Sequence, residues 1–140
     1  MTVIVVDANV AIKWTINQPL RERARQMLVH PQTLVAPWMF VAEVTTAMWQ
    51  YARAGHISAG QARKGLGLIM GQITVFDRDP DLAQEALSIG LELGYAPYDC
   101  FYLVTAARRN APFVTADRRF INRLAPTRYA RHVVHLADWT

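Results

Sequence analysis

Short runs of apolar residues alternate along the chain with longer segments in which apolar residues recur at helical spacing. The first run, Val3-Ile4-Val5-Val6, is continuous and β-branched, which is typical of a strand buried on both faces of a parallel sheet. Comparable runs predict further strands at 33–36, 74–76, 113–116 and 132–136, the last of them at a sheet edge. The alternation predicts an α/β fold, with a mainly parallel central sheet of four or five strands and helices on both faces.

Side chains at the ends of the intervening segments predict where helices begin and end. Ser58 and Gln61 have the spacing of a capping box, Asn17 and Asp79 are interpreted as caps in front of helices, and Asn110 as a helix stop. The predicted helices are 8–14, 19–29, 38–54, 59–70, 80–94, 98–109 and 118–124. Apolar side chains at helical spacing are predicted to face the core, including Leu20, Ala24, Met27, Leu28, Trp38, Trp49 and Tyr51, with a partner surface as the alternative for the last three.

Four of the eleven acidic residues lack an ordinary structural explanation. Asp7 ends the first strand and Asp117 follows the strand at 113–116. Glu43 lies in a helix with almost no charge for many residues on either side, and Asp99 lies in the first turn of an otherwise buried-looking helix. Acidic side chains in apolar surroundings are rarely buried without a partner. The other seven acids sit in polar helices, in a turn with a helix start, or near the C-terminus, where solvent and neighbouring side chains suffice.

The four residues Asp7, Glu43, Asp99 and Asp117, called the acidic quartet below, are expected to meet at one place. Parallel α/β sheets bind ligands beyond the carboxyl ends of their strands, where Asp7 and Asp117 should lie. Carboxylates about 5 Å apart repel by roughly 3 kcal/mol per pair at an effective dielectric constant near 20, so a cation must offset the charge. Mg²⁺ or Mn²⁺ suits a cluster of carboxylate oxygens, and the absence of a histidine among the four argues against zinc. The alternative is that each acid is neutralised separately by an arginine or a backbone donor.

Composition narrows the class of protein further. The 140 residues, 52% of them apolar, predict a single globular domain spanning 1–140. The single cysteine, Cys100, excludes an internal disulfide, and the N-terminus does not have the pattern of a signal peptide, so a cytoplasmic location is expected. The formal net charge is +4, and the basic residues are nearly all arginines that crowd the C-terminal third. Arginine suits phosphate recognition, which makes a nucleic-acid partner plausible beside the simpler interpretation of a solvated surface.

In four segments, in order along the whole chain, the sequence resembles the PIN-domain family and in particular the VapC-type toxins. The segments are Val5-Val6-Asp7-Ala8-Asn9, Ala42-Glu43-Val44, Pro97-Tyr98-Asp99-Cys100-Phe101-Tyr102-Leu103-Val104-Thr105-Ala106 and Val114-Thr115-Ala116-Asp117-Arg118-Arg119-Phe120. The resemblance implies a Mg²⁺- or Mn²⁺-dependent endoribonuclease that hydrolyses RNA phosphodiester bonds, the toxin of a type II toxin–antitoxin system. It also implies a homodimer and a small antitoxin whose tail covers the acidic site.

The resemblance assigns roles to individual residues. The acidic quartet matches the family's metal-binding and catalytic acids, with Asp7 and Asp99 as the expected core ligand pair. Asn9 and Thr115 match polar positions that orient the acids or contact the substrate. Arg118 and Arg119 stand where some family members carry a further acid, which puts firm binding of a second metal without substrate in doubt. These two arginines either hold neighbouring phosphates or form ordinary helix surface, and Tyr98 either stacks on a base or belongs to the core.

Two other functions remain as alternatives. The first is a PIN-fold module that binds RNA or protein without catalysis. The second is a receiver-like phosphotransfer domain, which needs a lysine after the last strand of its sheet. Lys13 and Lys64, the only lysines, do not lie there, so the receiver interpretation is disfavoured.

Overall fold

A five-stranded parallel sheet forms the centre of the protein in the computed structural model, which describes residues 2–30 and 32–140. Its strands are β1 (Thr2–Val6), β2 (Gln32–Pro37), β3 (Val75–Asp77), β4 (Phe113–Thr115) and β5 (Val133–His135). They lie in the order β3-β2-β1-β4-β5, and every neighbouring pair is parallel. The α/β class, the parallel sheet and the edge position of the last strand are therefore confirmed.

The described residues form seven α-helices that connect the strands: α1 (Ala8–Ala11), α2 (Arg21–Val29), α3 (Met39–Arg53), α4 (Ala59–Gln72), α5 (Asp79–Leu93), α6 (Cys100–Arg109) and α7 (Arg118–Leu124). Short 3₁₀ turns cover Ile12–Trp14, Arg128–His132 and Leu136–Asp138. The capping box at Ser58 and Gln61 forms as predicted, and Asn110 ends α6 in the left-handed conformation. Among the described residues, none of the helices has the length and apolar content that a membrane crossing requires.

The hydrophobic core lies around β1 and β4, which are neighbouring interior strands of the sheet. Val5, Val6 and Phe113 are fully buried, as expected for strands covered on both faces. The ring of Tyr102, from α6, stacks on Phe113 with 5.0 Å between centroids. The aromatic contact packs the N-terminal half of α6 against the first residue of β4, which pairs with Val5 of β1.

Several local predictions were wrong. Helix α2 begins only at Arg21, after Leu20 adopts a left-handed backbone conformation with φ of 67°, so Asn17 is not its cap. Leu20 and Leu28 are exposed rather than packed inward, and Trp38 and Trp49 are exposed by 45% and 57%. Helical spacing identifies the residues that share a face, but it does not show whether another element covers that face.

Asp79 differs from its predicted role in an informative way. It lies inside the first turn of α5, whose N-cap position is taken by Arg78. Its carboxylate accepts a hydrogen bond from the backbone N–H of Met39, at the start of α3, at 3.3 Å. The side chain therefore connects the beginnings of two helices that follow neighbouring strands.

Candidate active site

The acidic quartet gathers at the carboxyl end of the sheet. Asp7 follows β1 directly and Asp117 lies two residues beyond the end of β4, and these two strands are neighbours. Glu43 is in the second turn of α3, and Asp99 occupies the N-cap position of α6. The strand order therefore places two acids side by side, and two helix starts supply the others.

Asp7 is the most buried member of the quartet, with 5% of its surface exposed. Its Oδ2 accepts a hydrogen bond from the Thr115 hydroxyl at 2.7 Å, and its Oδ1 accepts one from the backbone N–H of Asn9 at 3.4 Å. Burial raises the pKa of this carboxyl to about 7, a rise to which the charges of Glu43 and Asp99 add while the hydroxyl of Thr115 opposes it. An ionised Asp7 is therefore costly unless a cation comes close.

Asn9 and Thr115 hold this end of the sheet together. The Asn9 amide donates to the Thr115 hydroxyl at 3.3 Å and accepts from the backbone N–H of Ala116 at 3.1 Å. The same hydroxyl oxygen accepts the backbone N–H of Asp117 at 3.0 Å while it donates to Asp7. Thr115 thus contacts three residues of the site, and its single hydroxyl proton points at Asp7.

Glu43 is held by a side chain that the sequence interpretation missed. The phenolic O–H of Tyr102 donates to Glu43 Oε1 at 2.6 Å, and Tyr102 itself is fully buried. Burial raises the pKa of Glu43, and Asp99 and Asp79 raise it further, while the bond from Tyr102 opposes the rise. Tyr102 lies three residues after Asp99 in the same helix, a spacing that places both on one face and could have suggested the contact.

Asp99 and Asp117 complete the cluster from the other side. Burial raises the pKa of Asp99 to about 6, and the negative charge of Asp117 adds to the rise. Asp117 caps α7 by accepting the backbone N–H of Phe120 at 3.1 Å, which orients the carboxylate at the end of the sheet. Asp7, Glu43 and Asp99 therefore each have a pKa that is raised by the charge of at least one other member of the quartet.

No cation in the described ranges neutralises the quartet. The ion pairs formed there join Arg108 to Glu85, Arg109 to Asp77, Arg128 to Glu92 and Arg118 to Asp138, all outside the quartet. The alternative that each acid of the quartet is neutralised by its own arginine is therefore wrong for the described residues. Among residues 2–30 and 32–140, no three His, Cys, Asp or Glu side chains are close enough to enclose a metal by themselves.

The remaining candidate residues are sequence neighbours of Asp99 and Asp117. Arg118 and Arg119 lie exposed at the start of α7, and Arg118 is 4.0 Å from the exposed carboxylate of Asp138. Tyr98 immediately precedes Asp99 and is 58% exposed, so of its two alternatives the core is wrong, and its ring is open to solvent.

The strand order, with acids following the carboxyl ends of the neighbouring strands β1 and β4, matches a known class of domain. The family model for the PIN domain matches residues 4–125, a range that contains the whole quartet, and the chain belongs to the PIN domain family. The resemblance inferred from the four sequence segments is thereby confirmed.

Individual relatives agree with this assignment. The chain is 28% identical to exonuclease VapC9 of Pyrobaculum aerophilum over 92 residues, which are 66% of this chain and 68% of the relative. It shares its fold with the crystal structure of PAE2754 of Pyrobaculum aerophilum at a TM-score of 0.67 and 24% identity, over 97% of this chain and 90% of that one. VapBC2 of Rickettsia felis, solved with a DNA fragment from the promoter, also has a TM-score of 0.67, at 13% identity over 99% of this chain and 100% of that one.

Proposed function

We propose that this protein is a divalent-metal-dependent endoribonuclease and the toxin of a toxin–antitoxin pair. The observation that carries the proposal is the convergence of four carboxylates without a neutralising side chain among the described residues. A structural cluster would reduce this repulsion with arginine or lysine, whereas a metal-dependent hydrolase leaves it for a cation to offset. The nuclease name of the VapC9 relative and membership of the PIN domain family add independent support.

The donor set suits Mg²⁺, with Mn²⁺ as a substitute. Carboxylate oxygens are the ligands that both ions prefer, and Mg²⁺ is commonly held by one or two carboxylates, several waters and substrate phosphate oxygens. Among the described residues no three acids are close enough to hold a metal by themselves, so water and substrate phosphate oxygens would have to supply part of the coordination. A bound divalent ion supplies Lewis acidity, which makes water nucleophilic near neutral pH and stabilises the charge that develops on the phosphate.

Each of the chain's own site residues would have a separate role in the hydrolysis. Asp7 and Asp99 would be the core ligand pair, and Glu43 and Asp117 would complete the site. One of these carboxylates would accept the proton that the attacking water loses. The new bond joins the water oxygen to phosphorus while the bond from phosphorus to the 3′ oxygen breaks. The 3′ oxygen would take up a proton from solvent, which leaves a 5′-phosphate and a 3′-hydroxyl. Thr115, with Asn9 behind it, would keep Asp7 oriented through the 2.7 Å hydrogen bond from its hydroxyl.

The substrate would be held beside the acids rather than by them. Arg118 and Arg119 begin α7 immediately after Asp117, where their guanidinium groups can reach the phosphates next to the cleaved one. The exposed ring of Tyr98 would offer a surface on which a base can stack.

A circular single-stranded RNA tests the reaction and its mode together. An endonuclease opens the circle in the presence of Mn²⁺ and not in EDTA, whereas an enzyme that needs an RNA end leaves it intact. Asp7→Asn and Asp99→Asn are each expected to abolish cleavage while the circular dichroism spectrum stays that of the folded protein, and Glu22→Gln, in an exposed position on α2, serves as the control. Full activity in both asparagine variants would rule out the mechanism.

The proposed biological role has its own test. Expression of the protein alone should arrest growth, and the Asp7→Asn form should be tolerated. A small antitoxin is the expected partner and a homodimer the expected assembly, by analogy with the VapC-type proteins. Metal-independent RNA binding without cleavage would instead favour the non-catalytic alternative.

A further inference from the structure

Trp38 and Arg78 form an exposed aromatic–cation pair next to the acidic quartet. Trp38 directly follows β2 and is 45% exposed, and the guanidinium carbon of Arg78 lies 5.3 Å from the centroid of its ring. Arg78 directly follows β3, the neighbour of β2 in the sheet. The backbone N–H of Trp38 donates to the Asp77 carbonyl oxygen at 2.9 Å, which fixes the position of the tryptophan relative to the end of β3.

The Trp38–Arg78 pair lies at the carboxyl end of the sheet, as the acids do. β2 is hydrogen-bonded to β1, so the residue that follows β2 is one strand, or about 4.8 Å, away from the strand that Asp7 ends. Asp79, the residue after Arg78, is close enough to Glu43 for its charge to act on that carboxyl group. An RNA strand whose cleaved phosphate lies at the acids has to cross one strand spacing of the sheet, in the direction of β3, to meet Trp38.

Arg78 differs from several other arginines of the chain in its lack of an acidic partner among the described residues. Its two acidic neighbours are engaged elsewhere, because Asp77 pairs with Arg109 and Asp79 accepts the Met39 N–H. The cation therefore stacks on Trp38 and remains available to an anion. An acidic site repels a polyanion, and an arginine with no acidic partner beside it reduces that repulsion.

We propose that Trp38 and Arg78 form a base-stacking subsite for a single-stranded RNA substrate, an inference that rests on the proposed function. A base would lie on the open part of the indole ring, and Arg78 would hold an adjacent phosphate. Stacking on an aromatic ring tolerates any base, since each base presents a flat π-face. Duplex RNA would not use this subsite, because its bases are already stacked on each other.

The chain contains a matched control for this subsite. Trp49 lies in α3, the helix that begins one residue after Trp38, is 57% exposed and has the guanidinium carbon of Arg53 at 5.3 Å from its ring centroid. Trp49 is 11 positions after Trp38, which corresponds to about 16 Å along a helix at 1.5 Å per residue. It is therefore distant from the carboxyl end of the sheet. The two pairs have the same chemistry, and they differ mainly in their distance from the acids.

The test compares the two tryptophans in binding of a short fluorescein-labelled single-stranded RNA of mixed sequence. Anisotropy is measured in EDTA, and the RNA is checked on a gel afterwards for cleavage. Trp38→Ala is expected to raise the Kd about tenfold, equivalent to about 1.4 kcal/mol, whereas Trp49→Ala leaves it unchanged. Trp38→Phe should retain most of the affinity, and Trp38→Leu, which remains apolar but has no ring, should resemble Trp38→Ala.

The outcomes separate this inference from the proposed function. If the wild-type protein cleaves RNA in Mn²⁺ but the Trp38 and Trp49 variants bind alike, the subsite is wrong and the nuclease stands. If no cleavage occurs but the RNA affinity still depends on an aromatic ring at position 38, the subsite stands and the nuclease is wrong. An equal effect of Trp38→Ala on a duplex of the same sequence would also overturn the stacking subsite.

Discussion

The burial of Asp7 makes the stability of the metal-free protein depend on pH in a predictable direction. The folded protein holds the pKa of Asp7 at about 7, against an ordinary value of 3.8. Between these values the folded state keeps a proton that the unfolded chain has released. Stability is therefore highest at acidic pH and falls as pH rises towards 7.

The expected size of this effect follows from the shift. At 1.36 kcal/mol for each pH unit, a shift from 3.8 to about 7 removes about 4 kcal/mol of unfolding free energy from the folded protein by pH 8. The side chain is 5% exposed, so solvent screening reduces this little. Domains of ordinary stability have about 5–15 kcal/mol in total, so the loss is measurable. Asp99, whose pKa is raised to about 6, contributes in the same direction.

Urea unfolding in EDTA at a series of pH values between 4.5 and 8 measures the effect. Asp7→Asn cannot titrate, so its unfolding free energy should fall less steeply than that of the wild-type protein over this range. Glu22→Gln, which removes an exposed carboxylate from α2, should run parallel to the wild type. Parallel curves for Asp7→Asn and the wild type would show that Asp7 is not a carboxylate strained by burial, and the main physical argument for a cation at this site would fail.

Other predictions follow from the same contacts. Mn²⁺ should raise the melting temperature of the wild-type protein at pH 7.5, and Asp7→Asn should lose most of that increase, because only the folded site binds the cation; an equal rise in both would place the metal elsewhere. Tyr102→Phe removes the 2.6 Å hydrogen bond to Glu43 and should lower the unfolding free energy by about 1 kcal/mol in urea titrations while activity is reduced rather than lost. Thr115→Val keeps the shape of the side chain but removes the hydroxyl that donates to Asp7, so RNA cleavage should drop by at least about tenfold while the far-ultraviolet spectrum is unchanged; wild-type activity would show that the hydroxyl does not position Asp7.

The members of the quartet could be identified in the sequence because each acid stands out from its own neighbours. Asp7 and Asp117 follow apolar strands, and Glu43 and Asp99 interrupt apolar helices, which is a local anomaly that needs no knowledge of the fold. The α/β class was also predictable, because the periods that distinguish strands from helices depend only on residues close together in the chain. Helix α7, which runs from Arg118 to Leu124, has the predicted bounds.

Residues whose roles depend on a distant partner were not predictable in the same way. Tyr102 looks like one more core aromatic until the structure brings its hydroxyl to Glu43. Asp79 has the sequence signature of a cap for its own helix, yet its carboxylate binds the start of α3. Trp38 looks like a core residue at helical spacing, but 45% of its surface is exposed in the structure, and a cation from the end of another strand stacks on it.

The sequence by itself determined which segments become strands and helices and which acids are out of place, because those properties depend on residues close together in the chain. Only the tertiary structure decided that β1 and β4 are neighbours. Asp7 and Asp117, which are more than a hundred positions apart in the chain, therefore lie at the carboxyl ends of adjacent strands. Strand order is set by how whole helices pack over the sheet, and hydrophobic periodicity carries no record of that choice. The electrostatic strain at Asp7 likewise arises only when burial and the other carboxylates act together.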